Sequence, residues 1–209
     1  MNKMCRTTNQ SGRSMIEMLG VLAIIGVLSV GGIAGYSKAM MKFKINKTID
    51  QISQMAQNTR TLYARQRNYG SLNGKIAYKA NLAPKEMFES GSGSGYSMTN
   101  AWGGSVYFQT AGKNYDNDKK AFTIILHDLP EEACIELATQ DWGSTGSGLI
   151  SVGVGRGSSP VSTRENCAGE SSSEYAIACS GGSEVSVPMP IDVAVDACSQ
   201  AGTLFFKFY

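Results

Sequence analysis

The stretch "GRSMIEMLGVLAIIGVLSVGGIAGYSKAM", Gly12 to Met40, decides the architecture, because it is a long apolar run with a single carboxylate, Glu17, at its mouth. From Met18 to Ser37 the chain runs 20 residues without a charge. At about 1.5 Å of helical rise per residue this run is about 30 Å long, the thickness of a bilayer core. A carboxylate beside hydrocarbon costs on the order of a few kcal/mol, so Glu17 is expected to have a partner or a task.

Working outward toward the C-terminus, the helical pattern continues but becomes one-sided. Phe43, Ile45, Ile49, Ile52, Met55, Ala56, Thr59, Leu62 and Tyr63 recur at steps of three and four, with Lys44, Lys47, Asp50, Gln51, Gln54, Asn58 and Arg65 largely between them. The spacing predicts one helix from about Ser14 to Arg67, apolar all round in its first half and amphipathic in its second. Such a helix suits a shaft element whose first half packs against copies of itself. Gly20, Gly26, Gly31, Gly32 and Gly35 lie in that first half. Each costs about 1 kcal/mol in water relative to alanine, yet small residues permit close helix packing in an apolar medium.

With 209 residues, 42% of them hydrophobic, the chain has room for this segment and one globular domain. Nineteen basic against 17 acidic residues give a charge of +2, which supplies no strong field for gathering nucleic acid. Cys5 precedes the apolar run, whereas Cys134, Cys167, Cys179 and Cys198 all follow it. Four cysteines downstream of a membrane-targeting segment read as two disulfides in an oxidising compartment, with all three connectivities open. No C-x-x-C spacing occurs and His127 is the sole histidine, so no metal site is expected. Basic residues do not fix the orientation, since Lys3, Arg6 and Arg13 on one side face Lys38, Lys42, Lys44 and Lys47 on the other. Candidate disulfides place the C-terminal part outside the cytoplasm.

Catalytic patterns are missing from the sequence. No G-x-S-x-G elbow accompanies His127 and Asp128, and "GVGRGSS" from Gly153 lacks G-K-[ST], so it reads as a turn. "DNDKK" from Asp116 has Ala121 and His127 where a calcium loop needs glycine and glutamate. The expectation is a non-enzymatic chain without a cofactor. Tyr96, Trp102, Tyr107 and Tyr115 crowd one glycine-rich region and are expected to pack the sheet or to offer a contact surface.

Past Asn68, the turn formers Gly70, Ser71, Asn73 and Gly74 end the long helix. "LAPKEMFES" predicts a short helix and "SGSGSG" (Ser90–Gly95) a loop. Strands are expected at Ser105–Thr110, Ala121–His127, Gly148–Gly155, Glu174–Ser180 and Glu184–Met189. "LPEEACIELAT" and "PIDVAVDACSQAG" predict two short helices, each opened by a proline, Pro130 and Pro190. The terminal "TLFFKFY" is too apolar for a frayed tail and belongs inside a sheet. The fold class is therefore α+β: a long N-terminal helix packed on an antiparallel-sheet domain with a disulfide-bonded C-terminal region.

Two motifs carry a family resemblance. Gly12-Arg13-Ser14-Met15-Ile16-Glu17, preceded by a short basic leader and followed by the uncharged 20-mer, resembles the class III signal sequence of type IV pilins and pseudopilins. A secretory signal peptide would have a shorter apolar core and an A-x-A cleavage site, and an ordinary anchor leaves Gly12 and Glu17 unexplained. The resemblance implies that a prepilin peptidase cuts after Gly12, that Arg13 becomes the N-terminus, and that Glu17, then the fifth residue, pairs with the N-terminal amine of a neighbouring subunit. A buried carboxylate becomes tolerable when an ammonium meets it. One position departs: the family usually has Phe or another apolar residue, frequently N-methylated, where this chain has Arg13.

The cysteine in "P-x-x-A-C" and that in "D-A-C" ahead of an aromatic terminal strand are similar to the globular domain of type IVb pilins, including those of conjugative thin pili. That resemblance implies a Cys134–Cys198 bond and leaves Cys167–Cys179 as the second. It divides the chain into a leader (1–12), an N-terminal helix (13–67, with the membrane or filament core at 15–37) and a globular pilin domain (68–209). It implies a homo-oligomeric helical filament, with a prepilin peptidase, an assembly ATPase and an inner-membrane platform as partners. The chain would sit in the bacterial inner membrane in a single pass before joining an extracellular pilus, its globular domain periplasmic or extracellular. A minor pilin or a type II secretion pseudopilin would show the same motifs. A membrane-anchored periplasmic binding domain is the reading from another class.

Overall fold

The computed structural model describes residues 15–66, 68–89, 96–111, 119–143, 148–156, 170–171, 175–179, 186–199 and 201–209. Helix α1 runs from Met15 to Tyr63. The chain divides between Lys42 and Phe43 into two compact units, so the second half of α1 belongs with the globular part.

In the globular unit the amphipathic reading of α1 becomes burial. Ile45, Thr48, Gln51, Ile52, Met55, Ala56, Thr59 and Tyr63 are buried at three- and four-residue steps. Phe43 and Leu62, counted in the same stripe by spacing, lie off this face and are 60% and 43% exposed. The following segment is laced back onto α1. Asn58 Nδ2 donates to the carbonyls of Asn81 and Leu82, Gln51 Nε2 donates to Glu86 Oε1, and Lys47 forms an ion pair with Glu86 at 3.0 Å. Burial of this face onto the sheet is visible at its end, where the rings of Tyr63, Tyr69 and Phe122 follow one another at 5.1 and 4.8 Å.

Among the described residues seven strands form one sheet in the order β1-β2-β3-β7-β4-β6-β5, and every pairing between them is antiparallel. They are β1 (Met98–Thr99), β2 (Ser105–Ala111), β3 (Ala121–His127), β4 (Leu149–Arg156), β5 (Glu170–Ser171), β6 (Tyr175–Cys179) and β7 (Ala201–Phe208). The apolar C-terminal segment is the middle strand, bonded to β3 on one side and β4 on the other. Its side chains serve both faces of the sheet, as strand alternation requires. Phe206 and Phe208 meet Trp142 and Phe122, while Phe205 joins Ile125, Ile177 and Cys179.

Two helices cover part of this sheet. Both α3 (Glu131–Thr139) and α4 (Ile191–Cys198) follow a proline at the N-cap, where a missing N–H removes nothing from the helix ladder. Cys134 and Cys198, 1% and 2% exposed, join them by a disulfide.

Several expectations are corrected in detail. Gly74–Lys79 forms a further helix, α2, because the Asn73 side chain caps it by accepting from the Ile76 N–H. The expected helix in "LAPKEMFES" shrinks to a 3-10 turn, Lys85–Met87. No strand forms over the described part of Glu184–Met189: Ser186 makes one isolated parallel bridge to Cys179, and Pro188, lacking an N–H, adds nothing to a ladder. The strand expected over Gly148–Gly155 forms as β4, and Gly153 to Arg156, also read as a turn in "GVGRGSS", are part of it. The aromatic group is dispersed: Tyr96 packs on Tyr78, Tyr107 stacks on His127, and Trp102 lies beneath Lys44. Tyr115 and the "SGSGSG" loop lie outside the described residues.

Candidate functional site

The first half of α1 is bare. Every residue from Met15 to Ala39 is exposed, and twelve large apolar side chains from Met15 to Ile33 are each at least half exposed. Burying such a side chain is worth about 1.5–3 kcal/mol, so the twelve together represent roughly 20–35 kcal/mol. That exceeds the roughly 5–15 kcal/mol by which a whole domain is stable. The segment therefore requires an apolar covering on all sides.

The backbone and polar groups of this segment are compatible with such a covering. Beyond the first turn its N–H groups are paired within the helix, and Ser29 and Ser37 donate their hydroxyls to the carbonyls of Ile25 and Ile33 at 2.7 and 3.1 Å. The helix is long and apolar enough to cross a membrane. None of Gly20, Gly26, Gly31, Gly32 and Gly35 has another atom within 4 Å of where a Cβ would sit, so each is open to a close neighbour.

Glu17 is the one charged residue in α1 before Lys38, and it stands exposed in the first turn. There the positive end of the helix dipole favours an anion. A carboxylate at the tip of a cylinder that must be covered is a single charge on an otherwise uncharged surface. Gly12 and Arg13 lie outside the described residues.

In the globular unit, Cys134 and Cys198 are bonded across 64 residues. Cys179 is also disulfide-bonded, while Cys167, the partner implied for it, lies outside the described residues. Both ring nitrogens of His127 are engaged, Nε2 with the Tyr107 hydroxyl at 3.1 Å and Nδ1 with the Thr203 hydroxyl at 3.0 Å. Its carbonyl accepts from Asn100 Nδ2 at 2.7 Å. This is a strand-end histidine built into the sheet. Among the described residues no three His, Cys, Asp or Glu side chains gather as a metal site would require.

Comparison with known proteins adds three findings. A family model described as PilS N terminal matches residues 33–190, well over half of the 209-residue chain. Among solved structures, the crystal structure of type IV b pilin from Salmonella typhi matches with a TM-score of 0.50 at 16% sequence identity, over 78% of this chain and 97% of that one. The likeness is one of fold: a long N-terminal helix against an antiparallel sheet. No curated protein sequence matches.

Proposed function

The chain belongs to the PilS N-terminal family of type IV pilin-related proteins, and from that membership we propose that it is the structural subunit of a type IVb-like pilus, matured and assembled through its N-terminal helix. Prepilin peptidase removes Met1–Gly12 on the cytoplasmic side and leaves Arg13 as the new N-terminus. Until assembly, α1 holds the subunit in the inner membrane. An assembly ATPase and its membrane platform then extract it, and the apolar surface exchanges lipid for the helices of neighbouring copies. Glu17 meets the amine of an adjoining subunit, which offsets the cost of taking the carboxylate out of water. The globular unit coats the resulting filament, with Cys179 bonded to Cys167 as its second bridge.

The observation that carries this reading is the bare apolar surface from Met15 to Ala39 with a lone carboxylate in its first turn. A mere membrane anchor requires the apolar surface but has no use for Glu17. The substitution Glu17→Val separates the two. The variant is expected to accumulate in the membrane with its disulfides formed and to yield no filaments by electron microscopy of sheared surface material; abundant normal filaments would remove the docking role.

A further inference from the structure

Three aromatic rings gather on the surface of the globular unit, on the segment that follows α1. Tyr78 of α2 is 43% exposed, and its ring touches both Phe88, at 5.0 Å and 80° between planes, and Tyr96, at 5.6 Å and 58°. The mount beneath them is rigid. Asn73 caps α2, and Gly74 lets the Tyr96 backbone come so close that a Cβ would stand 2.7 Å from the Tyr96 carbonyl oxygen. Phe88 bridges Met98 of β1, and the Glu89 N–H donates to the Ser97 carbonyl at 3.2 Å, so the backbone at Phe88 and that at Tyr96 are tied together.

Three cations rim these rings. Lys75 and Lys79 stand at i and i+4 on α2 and share one face with Tyr78, three residues from the first, while buried Ala77 marks the inward side. Lys85 opens the 3-10 turn that Phe88 closes, and side chains three apart in such a turn eclipse, which sets Lys85 on the same side as Phe88. All three lysines are exposed, and among the described residues no ion pair engages any of them. Of the two acids between Asn73 and Glu89, Glu86 is turned onto Lys47 and Gln51 of α1, which leaves Glu89 alone against the three cations.

We propose that this patch is a binding site for an acidic saccharide, a sugar chain whose residues carry carboxylates. The Tyr78 ring takes the C–H face of one sugar ring, the hydroxyls of Tyr78 and Tyr96 bond to sugar hydroxyls, and Lys75, Lys79 and Lys85 meet the carboxylates. The charge selects an anion, and the arrangement of the rings selects its kind. A single-stranded nucleic acid lays successive bases on successive aromatic side chains. Here the planes of Phe88 and Tyr96 are turned 80° and 58° from that of Tyr78, so the cluster offers one open platform and not a series. One platform ringed by cations suits a single sugar ring with its acid group. The site belongs to the globular unit of a single subunit and stands apart from the filament reading.

Titration calorimetry on detergent-solubilised full-length protein tests the site, with oligogalacturonate, hyaluronan and sialyllactose as acidic probes and an oligothymidylate as the nucleic-acid probe. At least one acidic saccharide is expected to bind and to bind more weakly as salt is raised. Its affinity should fall about tenfold or more in Tyr78→Ala, and as much in the triple variant Lys75→Gln, Lys79→Gln, Lys85→Gln, while Tyr78→Phe retains most of it. The three lysines are exposed, so the triple variant keeps the urea midpoint of the parent chain and remains a fair test even where Tyr78→Ala does not fold. No binding of any of the three saccharides, binding that both variants leave unchanged, or binding of the oligothymidylate in their place overturns the proposal. None of these outcomes involves filament formation, so failure here and failure of the filament reading are told apart.

Discussion

Replacing Gly153 by alanine probes the centre of the sheet. Gly153 pairs with Phe205 across β4 and β7, and a Cβ added there would overlap the Phe205 ring. The ring is 2% exposed and packs with Ile125, Ile177 and Cys179, so it has no room to swing aside. Overpacking of this kind costs about 1–3 kcal/mol. Because the buried ring cannot yield, the upper part of that range, about 2–3 kcal/mol, applies; alanine recovers about 0.5–1 kcal/mol through its lower chain entropy in a strand, which leaves a net loss of about 1–2.5 kcal/mol. For a domain of this size that lowers Tm by roughly 3–6 °C. Detergent-solubilised, oxidised full-length protein is unfolded in urea and followed by the fluorescence of Trp102 and Trp142. Phe205→Leu opens the space the new methyl needs, so the double variant should be more stable than the two single losses predict, by about 1 kcal/mol. A neutral Gly153→Ala, or strict additivity in the pair, would refute the packing described for this face.

Other outcomes follow from the disulfide and from the ion pair that ties α1 to the segment after it. Converting Cys134 and Cys198 together to alanine releases a 64-residue closure and should remove about 4 kcal/mol, seen as a lower urea midpoint; an unchanged midpoint counts against the bond as a stabilising element. The hydrogen bonds from Lys47 and then Gln51 hold Glu86 below its ordinary pKa. Its folded-state pKa is depressed, so the stability it contributes is present above the unfolded value of about 4.3 and is lost as pH falls through the folded value. Both side chains are well exposed, which limits the effect to about 0.2–1 kcal/mol, diminished by salt. Glu86→Gln should therefore destabilise at neutral pH and converge with the parent chain in acid; a penalty that persists unchanged at pH 3 would assign the effect to packing.

Much of this architecture was legible because its physical signals are local. Steps of three and four from Ile45 to Tyr63 mark a face that is in fact buried, and the apolar "TLFFKFY" could only be satisfied with neighbours on both sides and both faces covered. Prolines at 130 and 190 announced α3 and α4. What escaped depended on competition between local and distant demands. Asn73 serves a turn and a helix cap equally well, and the cap wins because the six residues after it form α2. Short strands such as β1 and β5 carry too few residues for a period of two to register. At the start of α1, Glu17 stood out because it stands at the mouth of an apolar run.

The central claim is that the apolar helix starts at a freed amino terminus close to Glu17 and is covered by copies of itself. Sequencing the N-terminus of the subunit from sheared, purified filaments tests it most directly. A chain beginning at Arg13 is the predicted result, and a subunit that keeps Met1–Gly12, or that begins beyond the apolar run, would contradict it.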